Sequence, residues 1–251
     1  MTTSAAPIWS HEVGVGPLVA LVHGSMDRSA GLLRLGRQLD GRARVLRYDR
    51  RGYGRSTPHD GPFGMDAQVA DLACLLQGRR AVVFGHSYGG NVALALAERH
   101  PDLVAAVAVY EAPLSWLDWW PGSTSGAAAL ATQDDPGDAA ERFMRRLVGD
   151  ERWDRLPPST RAARRAEGAA MVGELTDLRQ GPPWSPEGID VPVTALFGGH
   201  GATHHRTAMR HLGELIPSCR VEMVPGARHV GPNTHARDVA DRLEPLLTPA
   251  D

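Results

Sequence analysis

The chain contains no lysine; all 27 of its formally basic residues are arginine. Schiff-base catalysis, pyridoxal-phosphate attachment and the P-loop nucleotide site each need a lysine amine, so those chemistries are excluded. Cysteine is nearly as scarce. Cys74 lies in a helical pattern and Cys219 at the start of a strand pattern. They are expected as buried small hydrophobes rather than a disulfide, and no metal cluster can be built from them. Long apolar runs are missing: nothing approaches the ~20 residues of a membrane span. Met1 to Ser10 has neither the basic start nor the apolar core of a signal peptide, so the cytoplasm is the expected location, without a membrane partner. An excess of positive charge is missing too. The formal net charge is −2, with arginines and carboxylates interspersed, and no basic stripe invites nucleic acid.

What is present is alternation. At 251 residues the chain is long enough for one α/β domain, residues 1–251, and no Pro/Ser/Gly linker divides it. Apolar runs at Leu18–Val22, Arg44–Tyr48, Ala81–Phe84, Val104–Tyr110 and Val193–Phe197 read as strands, with a sixth at Arg220–Val224. Helical patterns at Ala30–Leu39, Asp66–Leu76, Asn91–Arg99, Thr207–Leu215 and Arg237–Leu247 follow most of them. This predicts an α/β fold, a doubly wound, mostly parallel sheet with helices on both faces. Ligands of such sheets sit outside the carboxyl ends of the strands, so the residues just beyond those ends carry the function.

The third apolar run leads into Gly85-His86-Ser87-Tyr88-Gly89-Gly90 and then a helix. A sharp strand-to-helix turn there would expose Ser87, the candidate nucleophile, and side chains at Gly85 or Gly89 would crowd it. His23-Gly24-Ser25 follows the first run, Asp49-Arg50-Arg51-Gly52-Tyr53-Gly54-Arg55-Ser56 the second, Glu111 the fourth, and His229 the last.

With an H-G turn, a D-x-R-G-x-G-x-S loop and a G-H-S-x-G-G elbow in this order, the chain resembles the α/β-hydrolase superfamily of serine esterases, lipases and thioesterases. The resemblance covers nearly the whole chain and is weakest between Leu114 and Asp190. In that superfamily an insertion after the strand following the elbow helix forms a helical cap, so about 114–190 is expected to be a lid. Ala139–Val148 and Arg161–Leu178 would be its helices, Pro121 to Gly126 a flexible entry and Pro182-Pro183 a stiff exit. Trp116, Trp119 and Trp120 at its start either line an apolar substrate pocket or pack the lid onto the sheet.

A serine hydroxyl needs a base within reach, itself oriented by a third group. His229 is the candidate base by position, with His200, His204, His205, His211 and His235 as competitors. Most relatives place the acid just beyond the strand matched here by Val193–Phe197. This chain reads Gly198-Gly199-His200-Gly201-Ala202-Thr203 there, without a carboxylate. Asp190 lies at the wrong end of the sheet and Glu214 too far along the next helix. Glu111 is the natural substitute because it ends the neighbouring strand, and some relatives carry their acid there. It could instead pair with an arginine at the lid's base, and Asp118 is a weaker candidate. The resemblance implies an oxyanion hole from the backbone N–H of Tyr88 and one from the turn at Ser25, with Met26 next. His23 and His86 are expected to fix loops, and Asp49, Arg50 and Arg51 to tie down theirs by charge-assisted hydrogen bonds.

The expected activity is therefore a cofactor-free, metal-free serine hydrolase acting on a carboxylic ester or thioester of a small to medium apolar molecule. Two alternatives use the same site: a lyase, cyclase or acyltransferase in which the lid excludes water, and a degenerate protein that only binds. Ser87 argues against epoxide hydrolases and dehalogenases, which need a carboxylate at the elbow. The oligomeric state stays open.

Overall fold

A computed structural model describes residues 7–131 and 135–247. Seven strands form one sheet in the order β1-β3-β2-β4-β5-β6-β7. They are β1 (Ser10–Val13), β2 (Leu18–Val22), β3 (Arg44–Tyr48), β4 (Ala81–His86), β5 (Val104–Tyr110), β6 (Val193–Gly198) and β7 (Cys219–Val224). All neighbours pair in parallel except β1, which runs antiparallel along β3 from Ser10↔Tyr48 to Val13↔Val45. The sheet is the expected one with one strand added. The sequence hides β1 because every residue of it is exposed, so no apolar alternation marks it. Its place is held by backbone pairing with β3.

The central strands β2 and β4 are buried throughout, which is why they read as continuous apolar runs. Helices cover both faces. One core layer joins Leu32, Leu35 and Leu39, from the turn and α1 (Leu33–Gln38), with Val239 and Leu243 of α11 (Ala236–Leu247) under Val19, Leu21 and Phe84. The opposite layer packs α2 (Met65–Leu76), α3 (Tyr88–Arg99) and α9 (Thr203–Leu215) on the other face. A short α10 (Gly231–Thr234) precedes α11. Cys74 is exposed and Cys219 only half-buried, which corrects the expectation of two buried thiols; both are free.

Among the described residues, five α-helices are inserted between β5 and β6: α4 (Ser125–Leu130), α5 (Pro136–Val148), α6 (Asp150–Asp154), α7 (Pro158–Ala166) and α8 (Gly168–Leu178). The expected flexible entry is in part α4, whose first turn is capped by the Thr124 hydroxyl accepting from Ala127 N–H at 3.2 Å. The single helix expected at Arg161–Leu178 is two, broken at Glu167. That carboxylate is 1 % exposed and accepts from Arg28 Nε (2.8 Å), the Gly54 N–H (2.9 Å) and Arg164 (3.1 Å), so it ties the insertion to the loops after β2 and β3. A second tie is fully buried: Arg50 Nη1 donates to Glu174 Oε2 at 2.6 Å, and Tyr53 OH to Glu174 Oε1 at 2.7 Å. The loop residues Asp49 and Arg51 are also engaged, Asp49 by the Ser29 N–H and Arg55, Arg51 by Asp71.

Candidate active site

The strand order reverses direction between β2 and β4, so the loops leaving their carboxyl ends diverge and open a crevice there. Ser87 stands at that point, on a turn with φ 52° and ψ −124°. The turn closes only because its flanks lack side chains. A Cβ on Gly85 would sit 2.2 Å from the Gly89 carbonyl oxygen, and one on Gly89 2.4 Å from that of Val22. The Ser87 N–H donates to the Tyr110 carbonyl at 2.9 Å, anchoring the strained residue to the sheet. Among the described residues, four that are not glycine have positive φ: Met26, Gln77, Ser87 and Glu111. Gln77 merely terminates α2. The other three are all candidates named from the sequence, and strain of about 1–3 kcal/mol each persists only where the surroundings enforce it.

Glu111 is completely buried beyond the end of β5. Its Oε2 accepts from His229 Nδ1 at 2.7 Å and its Oε1 from the Gly198 N–H at 2.9 Å. The end of β6, which lacks a carboxylate of its own, thus contributes the backbone donor that orients the one from β5. Because a carboxylate accepts, His229 carries its proton on Nδ1 and keeps Nε2 as the basic nitrogen. The loop bearing His229 is clamped from beneath: His86 Nε2 donates to the His229 carbonyl and Tyr110 OH to the Arg228 carbonyl, both at 2.8 Å. Burial, with the adjacent His229 charge adding to it, pushes the His86 imidazole down to about 3, so it stays neutral, with its single proton on the Nε2 that donates this bond. His23 is likewise a loop fixer, accepting from the Arg50 N–H at 2.9 Å and donating to the Gly24 carbonyl at 2.8 Å.

The other candidate acids are elsewhere. Asp118 is exposed, and Glu214 pairs with His211 at 3.3 Å. Among the competing histidines, His205 stacks on His229 with ring centroids 4.5 Å apart and planes 14° apart, and His204 lies beside it at 4.3 Å. Burial and the neighbouring His229 hold both below the usual histidine range. Nothing in the sequence marks this stacking; α9 brings it about by turning His205 inward at its first turn. Coordinating atoms of Glu111, His205 and His229 fall within 4.8 Å of one another. Both oxygens of Glu111 are already engaged by hydrogen bonds, so an ion there would have to displace one of them.

Ser87 and His229 border a cavity of about 290 Å³ together with Ser25, Trp120, His204 and His205. Phe143 and Leu147 of α5 and Leu175 and Leu178 of α8 supply its apolar wall. A second cavity, about 320 Å³, meets the first at Ser25, Ser87, Phe143, Leu147 and His229 and extends past Met26. Of the three tryptophans expected at the pocket, only Trp120 reaches it. Trp116 packs edge-on against Trp184, and Trp119 is 42 % exposed beside His211. Ser25 borders both cavities with its buried Oγ unpartnered among the described residues, Met26 is buried, and Tyr88 N opens α3 directly after the serine.

The family model described as the alpha/beta hydrolase family matches residues 19–242, and the chain belongs to that family. It is similar to a 2-(acetamidomethylene)succinate hydrolase of Mesorhizobium japonicum, 26% identical over 87% of this chain and 83% of that one. A pimeloyl-[acyl-carrier protein] methyl ester esterase of Chromobacterium violaceum is 27% identical over 92% of this chain and 96% of its own. Among solved structures, a thermophilic esterase from Thermogutta terrifontis superposes with a TM-score of 0.75 at 22% identity, covering 96% of this chain and 94% of that one. The chain is a hydrolase of the α/β fold.

Proposed function

We propose that this hydrolase cleaves a carboxylic ester or thioester through an acyl intermediate on Ser87. The observation that carries the reading is the Glu111–His229 hydrogen bond at the mouth of the cavity that Ser87 borders. In this reaction His229 Nε2 takes the Ser87 proton as Oγ attacks the carbonyl carbon, and Glu111 stabilises the imidazolium that forms. The N–H of Tyr88, with one from Ser25 or Met26, receives the oxyanion, and each such donor is worth about 10²–10³ in rate. His229 then returns the proton to the leaving group. A water deprotonated by the same histidine clears the acyl group. The insertion of α4–α8 serves as the lid and supplies Phe143, Leu147, Leu175 and Leu178 to the pocket wall, with Trp120 just ahead of it.

Two relatives are named for hydrolysis of an ester or of an acetamidomethylene compound, which supports the reaction class. The alternative of a protein that only binds rests on the absent carboxylate after Phe197, and the hydrogen bond from His229 Nδ1 to Glu111 speaks for the hydrolytic reading instead. Intact-mass detection of a fluorophosphonate adduct tests the reading without knowledge of the substrate. One adduct on the wild type and none on Ser87→Ala is expected. A wild type that stays unlabelled under long exposure overturns it.

A further inference from the structure

The cavity beside Ser87 has an electrostatic bias that the apolar reading of its substrate does not explain. Arg179, at the C-terminal end of α8, and Arg146 of α5 both border it. Neither guanidinium has a hydrogen-bond or ion-pair partner among the described residues. No aspartate or glutamate lines the cavity with them. Three other arginines of the insertion are matched: Arg145 by Glu141, Asp150 and Asp154, Arg165 by Asp138 and Glu141, Arg164 by Glu167. Arg146 is exposed and water can serve it, but Arg179 is half-buried. Burial lowers the pKa of the Arg179 guanidinium, which marks the loss of hydration without a compensating anion. The hydroxyl residues Ser115, Ser123 and Ser125 border the same space and add neutral donors.

We infer that this cavity receives a carboxylate carried by the substrate, with Arg179 as its principal partner and Arg146 at the entrance. The inference rests on the hydrolytic reading above and narrows it: the substrate is an ester or thioester with a free carboxylate on one of its two arms. A planar guanidinium matches a carboxylate through two parallel hydrogen bonds, which gives orientation as well as attraction. The two cavities meeting at Ser87 suit such a molecule, one arm on each side of the scissile carbonyl. The small volume, at the lower edge of the range of about 300–1,000 Å³ for ligand sites, points to a short arm of a few carbons. The apolar wall from Phe143, Leu147, Leu175 and Leu178 would face the methylenes between carboxylate and carbonyl.

The test is equilibrium binding by calorimetry to full-length Ser87→Ala protein, which needs no turnover. Three probes of matched size are compared: monomethyl glutarate, with the carboxylate on the acyl arm; its isomer 4-acetoxybutanoate, with the carboxylate on the alcohol arm; and dimethyl glutarate, without a charge. At least one monoacid is expected to bind tenfold or more tighter than the diester, and which one identifies the arm. Adding Arg179→Gln is expected to abolish that preference, while Arg179→Lys retains part of it. Equal binding of all three probes, or a preference that survives Arg179→Gln, overturns the inference. Should Arg179→Gln not fold, the comparison of monoacid with diester, repeated at high salt and with Arg146→Gln, decides it alone: a tenfold preference that salt weakens supports the carboxylate site, and no preference rejects it. Fluorophosphonate labelling of the wild type, scored separately, shows whether the hydrolytic reading itself stands.

Discussion

His229 reaches from the loop after β7 to donate its Nδ1 proton to Glu111 at the end of β5, across 2.7 Å. Glu111 stands one strand away from the end of β6, where the resemblance implies a carboxylate and the chain reads Gly198-Gly199-His200. On its other side it accepts from the Gly198 N–H at the end of β6, at 2.9 Å. The carboxylate is therefore held by β6 and by the loop after β7, with no other charged partner among the described residues.

Glu111→Gln keeps the shape of the side chain and lets the amide oxygen go on accepting from Gly198. Its amide nitrogen, however, would meet His229 Nδ1 as a donor and favour the wrong tautomer. The expected outcome is a fall in kcat/KM of up to ~10⁴ on any ester turned over, with far-UV circular dichroism unchanged. Retention of more than a tenth of the wild-type rate would remove Glu111 from the mechanism.

Ser87 sits at φ 52° in a conformation that glycine adopts freely. Relief of strain worth about 1–3 kcal/mol exceeds the roughly 0.5–1 kcal/mol of entropy that glycine costs. Ser87→Gly should therefore be inactive yet more stable, with Tm raised by about 2–4 °C in a domain of this size. A lowered Tm in a thermal melt would show that the turn is not strained.

Arg50 and Glu174 form an ion pair with both side chains fully buried. Glu174→Leu strands the guanidinium and should cost about 3–5 kcal/mol in urea unfolding, because the charge loses its partner in a medium that solvates it poorly. Restoring neutrality with Arg50→Met in the same chain should recover much of that loss. If the single variant is as stable as the wild type, the pair does not hold the insertion to the β3 loop.

The buried histidines give stability a direction with pH. His23, His86 and His205 all have folded-state pKa values lowered by burial, His86 to about 3, against an unfolded value near 6.5. Below that value the unfolded chain binds more protons than the folded one, so stability falls with pH from about 6.5 downward. His86 alone should contribute a loss of about 2 kcal/mol at pH 5 relative to pH 8. Thermal melts over that range should show Tm dropping, with a shallower slope in His86→Gln; a flat profile would contradict the buried neutral state.

Sequence alone determined the frame of this protein. Near-continuous apolar runs mark β2, β4, β5 and β6 because parallel strands covered on both faces are largely apolar. The glycines around Ser87 mark the elbow because only a missing Cβ permits the approach of α3 to β2 and β4. Glu111 stands out as a candidate because it is the carboxylate that directly follows β5; the structure adds its hydrogen bond to His229. The tertiary structure decided what depends on partners distant in the chain. Exposed β1 is held only by backbone bonds to β3; Glu167 and Glu174 look like ordinary helix-surface charges until Arg28 and Arg50 meet them across more than a hundred residues. In the same way, Trp120 rather than Trp116 or Trp119 faces the cavity, His205 lies on His229, and Arg179 is left without an anion. Those assignments follow from how helices rotate against the sheet to bury their apolar faces, a three-dimensional optimum that local residue pattern does not encode.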